Sequence, residues 1–539
     1  MRLKLASTQA IAASVPIPTI LSNRPKTIML LAGLASAAGF APLDLWPLTL
    51  ACLALLIVQL ERAPSQRAAF ALGWCFGLGH FTIGLNWIAH AFTFQEAMPH
   101  WFGYGAVAMV ALYLAVFPGL AAVTAWKLDR LFARLPGRRT NNAMTLPFLL
   151  AATWIATEYL RATLFSGFAW NPLGILWVPT IVAPAATWVG TYGASALAIL
   201  AAAAALMAVR RWWLPAAVLF APVVGLALLG TATQLLSVRS SSPVAIRIVQ
   251  PNIGQQDKYE AAFEAENFAK LTRLSGPKSA TARLLFWPEA AIPAYLDLEP
   301  QWRQNLALLL GPGDLLMTGG DKIYFKDQDK GAYADRVMAG ANNSLWVVTP
   351  DGRLIGRYDK AHLVPYGEYL PMRPLLSRIG LSRLVPGDVD FWPGPGPRTL
   401  SLPAGPGRPA LKMGVQICYE IIFSGQVVEP AHRPDFLFNP SNDAWFGTWG
   451  PPQHLAQARM RAIEEGLPVI RSTPTGISAL VDARGTILHG VPHQTAGFIA
   501  ATLPPSAAPT PFSRLGNLAP GLLALLLVGL AIATRRASR

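Results

Sequence analysis

Eight apolar runs divide the chain, each long enough or nearly long enough to cross a lipid bilayer as a helix. A bilayer core of roughly 30 Å needs about 20 largely apolar residues per helix. Seven runs precede residue 237 and an eighth lies near the C-terminus, at 27–41, 45–60, 68–88, 104–126, 146–160, 179–209, 212–235 and 517–534. The sequence therefore predicts an α-helical membrane bundle of eight transmembrane helices.

The composition agrees with a membrane protein. Of 539 residues, 53% are hydrophobic and 14% are charged, a balance too apolar for an ordinary soluble protein. The formal charge of +15 could indicate a nucleic-acid partner, but that class gathers its basic residues on one face of a soluble domain. Here many of them lie in short connections between apolar runs. We therefore expect the lipid bilayer as a partner, and no nucleic acid.

The short loops predict the orientation, because Lys and Arg resist translocation. Basic residues collect in segments 24–26, 62–67, 127–139, 210–211 and 535–539, whereas loops 42–47 and 91–103 contain none. This alternation predicts that both termini are cytoplasmic and that the polar region after the seventh run lies outside. The first 26 residues are interpreted as a cytoplasmic tail, since no convincing signal-peptide cleavage site precedes Thr27.

The region from 237 to 503 has short apolar runs, Gly and Pro punctuation and more charge. Seven runs in it are predicted strands, at 244–250, 283–287, 315–318, 344–349, 354–358, 412–418 and 436–439. Helices are predicted over 259–274 and over 452–465, the latter ended by Gly466. Alternating strands and helices indicate an α/β domain. We thus expect a membrane domain at 1–236, an extracytoplasmic catalytic domain at 237–503, and a linker with the last transmembrane helix at 504–539.

Three predicted strand ends carry reactive side chains, Glu289, Lys360 and Cys418. Cys418 is the only cysteine of the polar region, because Cys52 and Cys75 lie in apolar runs; no internal disulfide or zinc-type spacing is possible there. A thiol needs a base to remove its proton and a cation to favour the thiolate. Glu289 can be the base, and Lys360 can be the cation and the stabiliser of an oxyanion. The sequence predicts an enzyme whose nucleophile is Cys418.

Longer motifs surround these residues. Tyr358-Asp-Lys-Ala-His-Leu-Val-Pro-Tyr-Gly-Glu-Tyr369 contains the lysine, Ile417-Cys-Tyr-Glu-Ile421 contains the cysteine, and Asn442-Asp-Ala-Trp-Phe-Gly447 follows. A Glu, Lys and Cys set at successive strand ends resembles the triad of the nitrilase superfamily. Combined with seven apolar runs before and one after, the motifs resemble the apolipoprotein N-acyltransferase family over nearly the whole chain.

The resemblance implies a nitrilase-like αββα sandwich in the bacterial periplasm, attached to the inner membrane, and a reaction that needs no metal or cofactor. Cys418 would first take an acyl chain from a phospholipid, typically phosphatidylethanolamine, as a thioester. The N-terminal amine of diacylglyceryl-cysteine in an apolipoprotein would then take that chain, completing lipoprotein maturation. A thioester keeps enough acyl-transfer potential to form an amide without ATP.

The resemblance also assigns secondary roles. Glu368 would support the lysine and the thiolate, and Tyr419 and Glu420 would shape the pocket beside the nucleophile. Trp445 would lie on a mobile loop near lipid. Tyr259 stands where family members carry a Trp, so an aromatic substrate contact is expected there.

Several alternatives remain beside this interpretation. A lone buried Cys is usually a core residue, but the paired motifs favour catalysis. His362 could instead partner Cys418 in a papain-like dyad, although nothing around the cysteine resembles that family, so a structural role is expected for it. Glu368 and Glu420 could be only salt-bridged. A membrane-anchored nitrilase-type amidase would use the same triad but let water discharge the thioester, and a transporter or receptor with an inactive outer domain would not need the triad intact.

Overall fold

The computed structural model describes residues 24–94, 99–134, 143–237, 243–258, 260–326, 336–379 and 389–537. The apolar part of the chain is helical. The α-helices are α1 Pro25–Ser36, α2 Trp46–Glu61, α3 Gln66–Gly84, α4 Ile88–Ala91, α5 Phe102–Leu114, α6 Val116–Ala133, α7 Thr145–Thr163, α8 Ala186–Val209, α9 Trp213–Leu236, α10 Glu264–Ser275, α11 Pro300–Ala307, α12 Arg373–Leu376, α13 Gly450–Glu465, α14 Pro511–Leu515 and α15 Leu518–Ala537.

Helices occupy all eight predicted apolar runs. By length and composition, four helical segments of the described residues could cross a membrane: Phe102–Ala133, Ala183–Val209, Trp213–Leu236 and Leu518–Arg535. A fifth is obtained if Gln66–Gly84 and Ile88–Phe94, which are bent by 48°, form one span. The remaining helices are shorter or less apolar, so the count of eight spans stays a prediction.

One predicted span, at 179–209, is shorter and less regular than expected. Its helix α8 begins at Ala186, and Gly190 interrupts it with a φ of 62°. A Cβ atom at Gly190 would lie 2.1 Å from the ring of Phe512, so both the backbone angle and the close approach require glycine. This break leaves the N–H of Thr191 available to a side chain of the α/β domain.

The polar region forms two six-stranded sheets. The strands are β1 Ala245–Gln250, β2 Arg283–Phe286, β3 Leu315–Phe325, β4 Met338–Val348, β5 Leu354–Asp359, β6 Thr399–Leu402, β7 Leu411–Val415, β8 Phe436–Pro440, β9 Val469–Ser472, β10 Ser478–Val481, β11 Ile487–Val491 and β12 Gly497–Thr502. The first sheet has the order β12-β1-β2-β3-β4-β5 and the second the order β11-β10-β9-β8-β7-β6. Within each, three central strands are parallel (β1-β2-β3 and β7-β8-β9), and the other pairs are antiparallel.

The two sheets pack face to face. The ring of Phe286 on β2 lies 6.0 Å from Phe436 and 4.8 Å from Phe438 on β8. All residues of β2 and β8 are buried, as expected for strands covered on both faces. Helices α10 and α11 cover the outer face of the first sheet, and α13 contacts the second. The layers are therefore helix, sheet, sheet and helix, as predicted.

The predicted strands are all present, and the structure adds β6 and the run β9 to β12. These missed strands are mostly four or five residues long, too short for alternation to stand out. The strand predicted over 412–418 was wrong at its end, because β7 stops at Val415 and a 3₁₀ helix, Cys418–Ile422, begins at the cysteine. The helix predicted from 259 starts at Glu264, after a 3₁₀ turn at Ala261–Phe263.

The α/β domain rests on the helices through polar contacts. Glu464 of α13 accepts hydrogen bonds from the N–H and the hydroxyl of Thr191, at 2.6 and 2.7 Å. The indole N–H of Trp170 donates to Gln453 of α13 at 2.7 Å. Both contacts are buried, so this junction holds the two parts of the molecule in one arrangement.

Candidate active site

A cluster of buried charges lies beyond the ends of β2 and β5. Lys360 follows β5 directly, and its Nζ lies 3.0 Å from Glu368 Oε1 and 3.5 Å from Glu289 Oε1. Asn343 on β4 donates from Nδ2 to both carboxylates, at 2.7 Å to Glu289 and 2.9 Å to Glu368. Glu368 also accepts the main-chain N–H of Val364 at 2.8 Å. The lysine and both acids are at least 94% buried, so their charges are little screened.

The charged groups of this cluster differ in how fully ion pairs and hydrogen bonds compensate them. Burial lowers the pKa of Lys360, but the carboxylates of Glu368 and Glu289 outweigh it and raise the pKa above its ordinary value, so the ammonium is retained. Both Glu368 oxygens accept hydrogen bonds, whereas Glu289 Oε2 is buried and has no hydrogen-bond partner among the described residues. A buried acceptor without a donor is costly. Glu289 can therefore accept a proton from a group that enters the site.

Cys418 lies where the second sheet meets this cluster. It is 4% exposed and has a φ of 52°, a left-handed conformation uncommon for residues other than glycine. Such strained residues persist only where the surroundings hold them, and they concentrate at functional sites. Burial and the charge of Glu289 raise the pKa of the Cys418 thiol well above its usual range, against the opposing effect of Lys360. The resting group is a thiol, which needs a base before it can attack.

The main chain of Cys418 is held by a second buried network. Its carbonyl oxygen accepts hydrogen bonds from His454 Nε2 at 3.1 Å and Asn439 Nδ2 at 3.3 Å. Burial and the Arg471 guanidinium lower the pKa of His454. Because a carbonyl can only accept, Nε2 carries the proton of a neutral ring; Nδ1 then accepts from Arg471 at 2.9 Å, with Asp443 Oδ1 also 3.0 Å from Nδ1. Arg471 also pairs with Asp443 at 2.6 Å.

Glu420 connects the two sides of the site. Its Oε1 accepts the N–H of Ala361 at 2.7 Å, and its Oε2 accepts the N–H of Ile417 at 2.7 Å. The first donor follows Lys360 and the second precedes Cys418, so one side chain fixes the distance between lysine and cysteine segments. Burial raises the pKa of Glu420 to about 7, against these hydrogen bonds. Its Oε1 also accepts the hydroxyl of Tyr358 at 2.8 Å, so main-chain N–H groups and one hydroxyl hold this side chain.

Tyr419 connects the site to the helical region. Its hydroxyl donates to the carbonyl of Gly167 at 3.2 Å, in the loop after α7. His362 contacts the same loop through Ser166 O at 2.7 Å, and its ring stacks on Phe423 at 3.8 Å. These contacts account for His362 without a dyad. The segment of Cys418 thus lies against the loop that follows α7.

The two predicted substrate contacts are Trp445 and Tyr259. Trp445 lies in a 3₁₀ helix, Asp443–Phe446, and its ring is partly buried 5.5 Å from Phe94 of the helical region. Tyr259 lies outside the described residues. Neither role is tested by the geometry.

The sequence motifs supplied the two acids, the lysine and the cysteine, but not the groups that hold them. Asn343, His454, Asn439 and Arg471 were missed. One signal was present, since Asn342-Asn343 is a polar pair inside an otherwise buried strand. The others sit in ordinary strand or helix sequence, and only their convergence reveals them.

Comparison with known proteins covers most of the chain. A model of the apolipoprotein N-acyltransferase N-terminal domain matches residues 32–204, and a carbon-nitrogen hydrolase model matches residues 245–511. The apolipoprotein N-acyltransferase of Rhodopseudomonas palustris is 34% identical over 530 residues, covering 94% of this chain and 95% of the relative. That of Caulobacter vibrioides is 35% identical over 527 residues, covering 94% of each.

Among solved structures, Saccharomyces cerevisiae Nit3, a member of branch 10 of the nitrilase superfamily, matches with a TM-score of 0.31 and 20% identity. The match covers 50% of this chain and 93% of that chain. By its identity with curated relatives over nearly its full length, the chain belongs to the apolipoprotein N-acyltransferase family.

Proposed function

We propose that this chain transfers a fatty acyl group from a phospholipid to the N-terminal amine of diacylglyceryl-cysteine in an apolipoprotein, through a thioester on Cys418. The observation that carries the proposal is the buried Glu289, Lys360 and Cys418 set, which borders the apolar helices at the loop of Gly167. Lipid substrates need such a border, because their acyl chains stay in the bilayer.

In the first step Glu289 takes the thiol proton through Oε2, which has no partner in the described part of the chain, and the Cys418 thiolate attacks the ester carbonyl of the phospholipid. Lys360 stabilises the oxyanion of the tetrahedral intermediate, a contribution of about 3 to 4 kcal/mol for one donor in comparable sites. The intermediate collapses to the thioester. The proton passes from Glu289 to the leaving glycerol oxygen, giving a lysophospholipid.

In the second step the amine of the apolipoprotein attacks the thioester. Glu289 removes a proton from the attacking nitrogen, and Lys360 again stabilises the oxyanion. The thiolate leaves and regains its proton, and the acyl chain is now bound by an amide. Glu368 holds Lys360, while Glu420 and Tyr419 keep the lysine, the cysteine and the helical loop in register.

The proposal includes an arrangement in the inner membrane, with eight spans, cytoplasmic termini and a periplasmic catalytic domain. The parts are 1–236, 237–503 and 504–539. Two ion pairs support it by joining helix ends that the basic loops assign to one side: Arg210 with Glu61 and Arg535 with Asp129, each at 2.6 Å. In this arrangement Glu289 and Cys418 lie on the periplasmic side, opposite to these ion pairs.

The donor in this proposal is phosphatidylethanolamine. Trp445, beside Phe94 of the helical region, contacts lipid, and Tyr259 contacts substrate. Trp445 belongs to the segment between β8 and α13, and binding residues commonly occur in such connections.

The test measures the two half-reactions in turn, acylation of Cys418 first and transfer of the acyl chain second. Purified protein in nanodiscs of phosphatidylethanolamine should gain the mass of one acyl chain on the peptide containing Cys418, and Cys418→Ala should not. Nanodiscs of phosphatidylglycerol test the choice of headgroup. Adding a diacylated lipopeptide should then discharge the thioester into an amide.

Three results would contradict the proposal. No acyl mass on the unaltered protein rejects the thioester. Labelling of Cys418→Ala rejects this nucleophile. Discharge by water as fast as by the lipopeptide favours the amidase.

A further inference from the structure

A second lysine lies beside the catalytic carboxylate. Lys258, in the segment between β1 and α10, donates from Nζ to the main-chain carbonyl of Glu289 at 3.0 Å. Its charge also interacts with Cys418 and with Asp321 of β3. Neither the sequence motifs nor the two reaction steps above use this residue.

Lys258 and Glu289 line a cavity of about 20 Å³ on the outer side of the first sheet. That volume holds about one water molecule. Asn267 of α10 lines the same cavity; it is 8% exposed, its Nδ2 donates to Asp257 O at 3.0 Å, and its Oδ1 has no partner among the described residues. A buried acceptor without a partner, on a residue that lines a cavity of this size, indicates a bound donor, and water is the donor that fits.

The pKa of Lys258 is close to neutral pH. Burial lowers its pKa to about 8, although Glu289, Asp321 and Cys418 act to raise it. Glu264 is the other acid on the cavity wall, and it is exposed to solvent. A lysine near this value can both accept and release a proton during turnover, which an ordinary lysine does not.

Proton balance distinguishes the two steps of the proposed reaction. Thioester formation moves one proton from the thiol to the leaving alcohol and releases none. Amide formation starts from an ammonium, whose nitrogen loses two protons. One restores the Cys418 thiol, and the other must leave the site. Glu289 can hold only one proton at a time, so it must be emptied once within the second step.

We propose that Lys258, with a water molecule held against Asn267, receives this surplus proton from Glu289 and passes it to solvent. The inference rests on the proposed acyl transfer. Glu289 first takes a proton from the incoming ammonium and gives it to the neutral Lys258. It then takes the second proton from the attacking nitrogen and returns it to the thiolate. Lys258 touches no reacting atom; it acts through Glu289.

The test measures the two steps separately against pH. In Lys258→Gln, the ratio of the rate of lipopeptide discharge to the rate of thioester formation should fall about tenfold at pH 7.5, less than for loss of the general base itself, because Lys258 acts through Glu289. The fall should shrink to about twofold at pH 9, because an α-amine of ordinary pKa, about 8, then arrives already neutral. Lys258→Arg should behave like Lys258→Gln, since arginine keeps the charge but cannot give up its proton.

Matched controls come from the next helix. Lys270 of α10 pairs with Glu266 at 2.9 Å on the surface, so Lys270→Gln and Lys270→Arg should leave the ratio unchanged at every pH. Asn267→Leu, which removes the acceptor for the water, should lower the ratio about threefold at pH 7.5, a loss of about 0.65 kcal/mol in transition-state stabilisation.

The outcomes separate this inference from the proposed function. If the unaltered protein forms and discharges the thioester, but the Lys258 variants keep the ratio at all pH values, the relay is wrong and the acyl transfer stands. Full rescue by Lys258→Arg, or an equal loss in both steps without pH dependence, means that Lys258 only supports the main chain of Glu289. If the unaltered protein forms no thioester, the proposed function itself fails.

Discussion

The two sheets supply the site in different ways. The first sheet contributes a cluster of charges, in which Lys360 is shared by Glu289 and Glu368. The second sheet contributes Cys418, whose main chain is fixed by hydrogen bonds from His454 and Asn439. One side presents a buried carboxylate oxygen without a hydrogen-bond partner among the described residues, whereas the other holds one residue in a left-handed conformation.

This difference reflects two physical requirements. In the proposed reaction the general base needs an unpaired acceptor, as Glu289 Oε2 is among the described residues, and its neighbours must not neutralise it. A nucleophile needs a fixed position, because a misplacement of about 1 Å can cost about 100-fold in rate. We therefore expect changes on the charged side to affect chemistry more than stability, and changes on the cysteine side to affect both.

The largest effect is expected for Glu289→Gln. Glutamine keeps the shape and an oxygen for Asn343 and Lys360, but it cannot take the thiol proton. The rate of thioester formation should fall about 1,000-fold, within the range for a lost general base. The loss of the negative charge also removes one cause of the raised pKa of Cys418, so alkylation of the thiol by iodoacetamide should begin at lower pH.

These two readouts go in opposite directions, which makes the prediction specific. Glu266→Gln on the surface of α10 is the control and should change neither. A faster thioester step in Glu289→Gln would mean that the carboxylate only suppresses the thiolate. A loss of folding would contradict the expected separation of chemistry from stability.

A smaller effect on rate, with a clear effect on stability, is expected for His454→Leu. The substitution removes one of two donors to the Cys418 carbonyl and the buried acceptor for Arg471. The free energy of unfolding should fall by about 2 kcal/mol, as for the loss of a buried hydrogen-bonded group. The midpoint of thermal unfolding should then fall by about 5 °C. Thioester formation should fall about tenfold, without a change in its pH dependence.

The measurements are thermal unfolding in nanodiscs and single-turnover labelling. His432→Leu is a suitable control, because His432 is exposed and contacts Glu429 on the surface. If His454→Leu lost activity without losing stability, the cysteine side would resemble the charged side, and the comparison between the sheets would not hold.

The sequence predicted the charged side of the site better than the surroundings of the cysteine. Glu289, Lys360 and Cys418 were predicted because their chemistry and motifs are local, and the layered fold was predicted because most strands are apolar runs. His454 and Asn439 were not, since their role depends on which strands become neighbours. The left-handed turn at Cys418 was also missed: β7 and the residues after it form one apolar run that reads as a continuous strand. Long-range pairing, rather than local propensity, decides these features.

The smallest effect is expected at the contact between the cysteine side and the helices. Tyr419→Phe keeps the buried ring but removes the hydrogen bond to Gly167 O, leaving that carbonyl without this donor. A net loss of about 1 kcal/mol corresponds to roughly a fivefold change. Because the contact positions the site against the helical loop, the loss should appear as a higher concentration of phospholipid for half-maximal thioester formation, with the maximal rate retained. Tyr366→Phe, on an exposed loop, is the control. A lower maximal rate with unchanged phospholipid dependence would instead place the Tyr419 hydroxyl in the chemical step.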